Sequence, residues 1–283
     1  MKKILKLLIL LQLSLLTLAA CDNSFNASSE ISDMPQIEYG YANAAGDKII
    51  VLLADIDDMN NNRLLTYFDF AIGENGKSYK IEYLTYQESG EKNNHRDLMQ
   101  NFDQQAGCVY KVIDSPAVPN NTYILLSNEE HKKYTLLQEK DTQETTLTSN
   151  ELLSKYTELA GRKAINGWIL SLYQNGIRIS MIEFESVDSD LLAWMVLEDE
   201  DIFRYCEFPA KIDDSYTGWA MGDQGNLNDG NNRFRMLCAL QNDRGIVVYF
   251  SWYGEEGEVI KKVDFLSGEY PKENTVSGRY LLM

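Results

Sequence analysis

Histidine is almost missing from this 283-residue chain: His95 and His131 are the only two. They lie in the charged segments KNNHRD and NEEHKK, where an exposed histidine is the plain expectation. Hydrolytic motifs are missing as well. There is no His-Glu-x-x-His, no Gly-x-Ser-x-Gly and no glycine loop of the phosphate-cradling kind. Ser89-Gly90-Glu91-Lys92 fits Ser-x-x-Lys, but it stands in a polar loop without the companion motifs, as chance would place it. Basic charge is scarce, with 26 Lys+Arg against 43 Asp+Glu. So acidic a surface repels phosphate backbones and argues against nucleic acid as a partner. Among 43 acids, any pair singled out for glycosidase chemistry is arbitrary. A hydrolase is therefore the last-ranked reading.

A membrane-spanning run is lacking too. The one long apolar stretch, Leu7 to Ala20 in MKKILKLLILLQLSLLTLAAC, falls short of the roughly 20 residues a spanning helix needs. Lys2, Lys3 and Lys6 precede it, small residues close it, and the chain turns polar at once: the pattern of a signal peptide over 1–20. Leu18-Ala19-Ala20-Cys21 resembles the lipobox of bacterial lipoproteins. The resemblance implies a diacylglycerol on the Cys21 thiol, cleavage before Cys21, and acylation of the new amine by a palmitate-like chain. One chain binds a bilayer marginally, whereas two or more hold it firmly. Asp22 resembles an inner-membrane retention signal of enterobacteria-like sorting. That rule differs between bacterial groups, so the destination membrane stays open. The expected location is the cell envelope, lipid-anchored, with the mature domain periplasmic or extracellular.

Removing residues 1–20 takes three lysines and leaves 23 basic against 43 acidic side chains, a formal charge of −20 on 263 residues. That length can bury a proper core. The charge favours a cationic protein, peptide or metal ion, or it serves solubility alone. Cysteine is sparse. With Cys21 lipidated, Cys108, Cys206 and Cys238 remain, enough for one disulfide and one spare thiol, with no pairing preferred. Cys238, in RMLCAL, reads as a small buried hydrophobe.

Residues 21–36 read as a polar, lipidated flexible tether. Two β-rich lobes are expected behind it, 37–140 and 150–283, divided by the polar stretch EKDTQETTLTSN at 139–150. Hairpins dominate. Asn75-Gly76 and Asn175-Gly176 stand between alternating runs, where a type I′ turn needs positive φ at both central residues. A third turn falls at Asp243 to Gly245, and GRYLLM closes a sheet edge. TSNELLSKYTELAGRKA begins with the capping-box pair Thr148 and Glu151 and repeats Leu152, Tyr156 and Leu159 at helical spacing. NHRDLMQNFDQQAG is a second helix, ending before Gly107, and DSDLLAWMVLEDEDIFRYCEF reads as two strands around Glu198 to Asp201, or else a helix from Ser189. The fold class expected is α+β, mainly β: antiparallel sheets of hairpins with two or three helices. Segments beginning at Asn61 and Asn231 both run from Asn-Asn-Arg through a hairpin to Tyr-x-Glu-x-Gly-Glu, which raises a duplication into two similar lobes.

Two constellations are candidate sites. Asp58, Asn60, Asn62 and Asp69 take positions 1, 3, 5 and 12 of an EF-hand-like calcium loop. Arg63 replaces the turn glycine, Asp69 is shorter than the bidentate glutamate, and a strand-like run precedes, so an Asx-rich turn is the simpler reading. In VVYFSWY, Tyr249 and Tyr253 share one strand face, with Phe250 and Trp252 on the other. A strand apolar on both faces belongs in the core; alternatively Tyr249, Tyr253, Trp252 and Trp219 line a binding face. The leading functional expectation is a membrane-tethered, non-catalytic binding or accessory protein, its anchor in the lipid bilayer and its partner a basic protein. The alternative is a carrier of a small apolar ligand in a sheet-lined cavity.

Overall fold

A computed structural model describes residues 37–53, 68–73, 76–140, 150–211, 219, 234–253 and 257–281, leaving the side chains of 150 and 151 aside. The architecture is α+β and mainly β, with every strand pair antiparallel. Six strands close a barrel: β1 (Ile37–Ala42), β2 (Lys48–Leu52), β3 (Phe68–Gly73), β4 (Lys77–Gln87), β5 (Gly107–Val112) and β6 (Thr122–Ser127), in the order β1-β2-β5-β4-β3-β6. Closure leaves no edge to cover. Its interior is filled by alternate residues, among them Ile49, Val51, Ala71, Tyr79, Tyr110 and Tyr123.

The remaining strands form two sheets. One has the order β11-β10-β9-β8, from β8 (Ala164–Leu172), β9 (Arg178–Phe184), β10 (Asp190–Glu198) and β11 (Phe203–Lys211). The other runs β15-β14-β13-β12-β7, from β7 (Thr135–Leu136), β12 (Phe234–Asn242), β13 (Gly245–Tyr253), β14 (Gly257–Leu266) and β15 (Lys272–Tyr280). A shared core including Met181, Met195, Phe208, Phe234, Phe250 and Trp252 joins them. Residues 37–283 make one compact unit.

The hairpins form where the signals place them, but the turn at Asn175-Gly176 is not type I′, because only Gly176 takes positive φ. The Gly176 N–H donates to Tyr173 O within a longer loop closed by the Tyr173 N–H to Ile177 O. Asn75 lies outside the described residues. Gly76 and Gly176 hold φ of 91° and 89°, a region where an ordinary residue is strained, and each sits between paired strands. Asn242 caps the third turn, its Oδ1 accepting from the backbone N–H of Arg244 and Gly245. DSDLLAWMVLEDEDIFRYCEF forms the two strands β10 and β11. The two hairpins of the suspected duplication have different surroundings: β3–β4 belongs to the closed barrel and β12–β13 to the centre of the open sheet.

Helices depart from expectation in detail. NHRDLMQNFDQQAG gives only a 3-10 helix, Met99–Gln104. A helix missed in TYILLSNEEHKKYTLL, α1 (Asn128–Lys133), starts at Ser127, whose side chain accepts from the Glu130 N–H. Ser127-x-x-Glu130 is itself a capping-box spacing. The predicted helix after residue 148 is α2 (Asn150–Ala160). Thr148 lies outside the described residues. Leu152, Leu153, Tyr156 and Ala160 pack on Ile182, Phe184, Trp194 and Val196, while Leu159 is exposed. The buried stripe therefore follows i, i+1, i+4, i+8, and Leu159 falls off it. Among the described residues, no helix is long and apolar enough to cross a membrane.

A polar lock fixes α2 on its sheet. The buried Glu198 carboxylate accepts from Tyr156 Oη at 2.6 Å, from Lys155 Nζ at 2.8 Å and from Arg178 Nη2. Burial pushes its pKa up, but these three donors together outweigh that and hold it below the ordinary 4.5. A carboxylate depressed in the folded state stabilises fully above its unfolded value and loses that contribution as pH falls through the folded one. Glu198→Gln should accordingly cost about 1–3 kcal/mol at neutral pH. It should also flatten the decline in stability below the ordinary carboxylate value, as urea denaturation at neutral and acidic pH would show.

Candidate functional site

The described residues converge most where the barrel meets the C-terminal hairpin. Strands β14 and β15 pair so that Glu258 stands directly opposite Arg279. Next to that pair, Gly257 faces Tyr280, and a Cβ on Gly257 would collide with the Arg279 carbonyl. The glycine thus allows β15 the close approach that sets this register. Both charged side chains turn away from water, with 5% of the Arg279 side chain exposed and 0% of Glu258.

Arg279 makes five hydrogen bonds, four of them to barrel residues or their loops. Its Nη1 donates to Asn120 O at 2.9 Å, Thr122 Oγ1 at 2.8 Å and Glu258 Oε2 at 3.2 Å. Nη2 donates to Asp97 O at 2.6 Å and Asn120 Oδ1 at 3.1 Å. Thr122 Oγ1 in turn donates to Glu258 Oε2 at 2.5 Å. The guanidinium also lies 4.3 Å from the centre of the Tyr41 ring, a cation–π contact. Burial pulls the Arg279 pKa below its ordinary value, and the Glu258 carboxylate works against that. A guanidinium keeps its proton in proteins, so this group holds and recognises rather than transfers protons.

Asp97 reaches the junction because side-chain amides pin its loop. Gln87 Nε2 donates to Phe102 O and Gln105 O, and Gln105 Nε2 to Arg96 O, each at 2.7 Å. Asp97 then extends the end of β15: its N–H donates to Tyr280 O at 2.7 Å, and its Oδ2 accepts from Tyr280 N at 2.8 Å. Burial raises the Asp97 pKa, against the opposing pull of the Tyr280 N–H and of Arg279.

Of the described residues expected to form sites, all but one fall elsewhere. Tyr249, Trp252 and Trp219 are exposed by only 1%, 6% and 3%. They are core residues rather than an open binding face: Trp252 and Trp219 belong to the core between the two sheets, where Trp219 Nε1 donates to Phe208 O at 3.0 Å, and Tyr249 is buried on the other face of β13. Tyr253 is the exception. It is half-buried next to Glu258, Arg235 and Arg279, and burial first, then Glu258, raises its pKa. Cys21, Asp58, Asn60 and Asn62 lie outside the described residues. Asp69 is exposed, and its Oδ2 accepts the Asn128 N–H at 2.6 Å, capping the entry to α1. No group of three or more potential metal ligands occurs among the described residues. Cys108, Cys206 and Cys238 are buried free thiols, with Cys238 the small hydrophobe its context predicts. His95 is exposed, whereas His131 is half-buried and stacks on Phe70 at 4.1 Å.

Sequence reasoning missed Arg279, Glu258, Thr122, Asn120 and Asp97. Only the edge-strand reading of GRYLLM lay near them, and partners 21 to 182 positions apart leave no local signal.

Removing one partner of a buried ion pair strands the other's charge and costs about 3–5 kcal/mol. Arg279→Met should lower stability by that order. Glu258→Leu with Arg279→Met should lose less than Arg279→Met alone, since no charge is then stranded; chemical denaturation of the two variants checks the order.

Set against protein-family models, curated proteins and solved structures, the chain matches none of them.

Proposed function

We propose that this protein is an envelope lipoprotein that works by binding, held at a membrane through acylated Cys21 and directed at a basic protein partner. The observation that carries the reading is the pairing of the lipobox with a charge of −20 on the cleaved chain. The distribution of that charge supports it. Exposed acids without a nearby cation stand at the turn between β10 and β11, Glu200 and Asp201, whereas at the opposite end of the sheet Glu185 and Asp190 are paired with Lys163 and Lys211. Such a field speeds encounter with a cation and rejects anionic partners. The carrier alternative needs a sizeable aromatic-lined cavity. It draws no support from Phe208, Phe234, Phe250 and Trp252, which pack on one another at ring distances of 4.9–6.4 Å.

Two measurements test the reading. Cys21→Ser should move the protein from the membrane fraction to the soluble one, and native material starting at Met1 without lipid would refute the anchor. The lipidated protein, captured in detergent from its own cells, should retain a basic protein at physiological salt and release it near 1 M. There the screening length shrinks from about 8 Å to about 3 Å. Capture of no such salt-sensitive partner would refute the second half.

A further inference from the structure

A ring, a carboxylate and a cation come together three times among the described residues. The Arg279 guanidinium lies 4.3 Å from the Tyr41 ring centre and 3.2 Å from Glu258 Oε2. Lys155 Nζ lies 5.1 Å from the Phe203 ring and 2.8 Å from Glu198 Oε2. Lys261 Nζ lies 4.6 Å from the Trp252 ring and 2.6 Å from Glu273 Oε1. A fourth set is one cation short. Where β11 meets the β14–β15 turn, Tyr205 and Tyr270 supply rings and Glu207 a carboxylate, and no cation among the described residues stands on those rings or pairs with that acid. We propose that this corner binds an arginine side chain of the basic partner, the guanidinium resting on the tyrosine rings and donating to Glu207. The site presupposes the basic partner proposed above and says where on the chain it is held.

Strand geometry assembles the corner. Alternation along β11 sends Tyr205 and Glu207 to one face, opposite to Cys206 and Phe208 in the core between the sheets. Tyr205 is half-buried, its ring stacked on Trp194 at 3.9 Å. Trp194 stands opposite Glu207 in the β10–β11 register, so the stacked ring and the carboxylate are neighbours. Tyr270 meets Tyr205 edge-on, at 6.4 Å and 83°, and is 60% exposed. A tyrosine so exposed adds little to the core and offers its ring to a partner. The turn that carries it is tied down: Gly268 takes a φ of 76°, Arg204 of β11 donates to Leu266 O, and Arg244 pairs with Glu269 at 2.6 Å. Those two arginines are committed to the scaffold, and Lys272 stands opposite Asp264 across the hairpin. Burial first, then the charge of Glu207, raises the Tyr270 pKa, in keeping with a carboxylate within electrostatic reach of that ring. A planar guanidinium can lie on an aromatic face and donate to a carboxylate at the same time, which selects arginine. An anion would meet both Glu207 and the charge of −20 on the cleaved chain.

The test follows tyrosine ring signals of the full chain by NMR as N-acetyl-arginine amide is added, with N-acetyl-citrulline amide as its uncharged counterpart. Tyr205 and Tyr270 should shift saturably with the arginine probe, and the citrulline probe should bind several-fold more weakly. Tyr280, also exposed, should stay in place. Tyr270→Leu, read at Tyr205, and Glu207→Gln should each weaken binding by about two- to fivefold. Tyr270→Phe should keep it, since the ring remains. Glu88→Gln takes the same charge from an exposed position on the barrel and should leave binding unchanged. Equal shifts at Tyr280, no advantage of arginine over citrulline, or Glu207→Gln indistinguishable from Glu88→Gln would each overturn the proposal. So would a folded Tyr270→Leu variant that binds undiminished; if that variant fails to fold, Glu207→Gln decides alone. The site and the partner fail separately. A captured basic protein that Tyr270→Leu with Glu207→Gln retains at full strength overturns the site alone. Capture of no partner, beside an intact response to the arginine probe, overturns the partner alone and upholds the site.

Discussion

One guanidinium decides how the C-terminal hairpin sits against the barrel. Arg279 gathers Asp97, Asn120, Thr122 and Glu258, residues brought from a barrel loop, the turn before β6, β6 itself and β14. Burying such a group is costly, and a buried ion pair alone often fails to repay its desolvation. Here the repayment comes from the number of bonds: Arg279 donates five, leaving its Nε and Glu258 Oε1 without a partner among the described residues. Directional bonds of this kind fix one arrangement where apolar contact between the barrel wall and the sheet would tolerate several. The close approach at Gly257 belongs to the same constraint, since the register that sets Glu258 opposite Arg279 requires it.

The legible parts of the fold are those written locally. Asn175-Gly176 announces its turn because few residues accept φ near 89°, and the alternation after it places Ile177, Ile179 and Met181 together in the core between the sheets. The other face of β9, with Ile182 and Phe184, is buried as well, under α2. The stripe of α2 was visible in Leu152 and Tyr156, yet Leu159 was placed wrongly because three residues cannot distinguish an i+3 from an i+4 continuation. The helix α1 was hidden by its length: six residues carry hardly one apolar period, and only Ser127 with Glu130 marks it. Barrel closure was out of reach, since pairing of β1 with β6 depends on partners more than eighty positions apart.

The candidate site was less legible than the fold, for a related reason. The aromatic faces of β13 attracted a binding interpretation because tyrosine and tryptophan suit interfaces and cores alike. Burial resolves the ambiguity in favour of packing for Tyr249 and Trp252 and leaves Tyr253 at the junction. A charged residue near the end of a chain reads as solvated, so nothing in VSGRYLLM distinguishes Arg279 from a surface cation until Glu258 and Thr122 are placed against it.

Charge is thus divided into two populations with different physics. The interior pair Glu258–Arg279 is nearly neutral as a unit and shielded from ions, so salt leaves it almost untouched. The excess of acids lies outside, at sites such as the exposed Glu200 and Asp201, where salt screens it within a Debye length. Raising ionic strength therefore switches off the long-range field while the joint between barrel and hairpin stays closed. The proposed association with a basic partner and the integrity of the fold are consequently separable, and a salt-dependent loss of that binding would report on recognition rather than on unfolding.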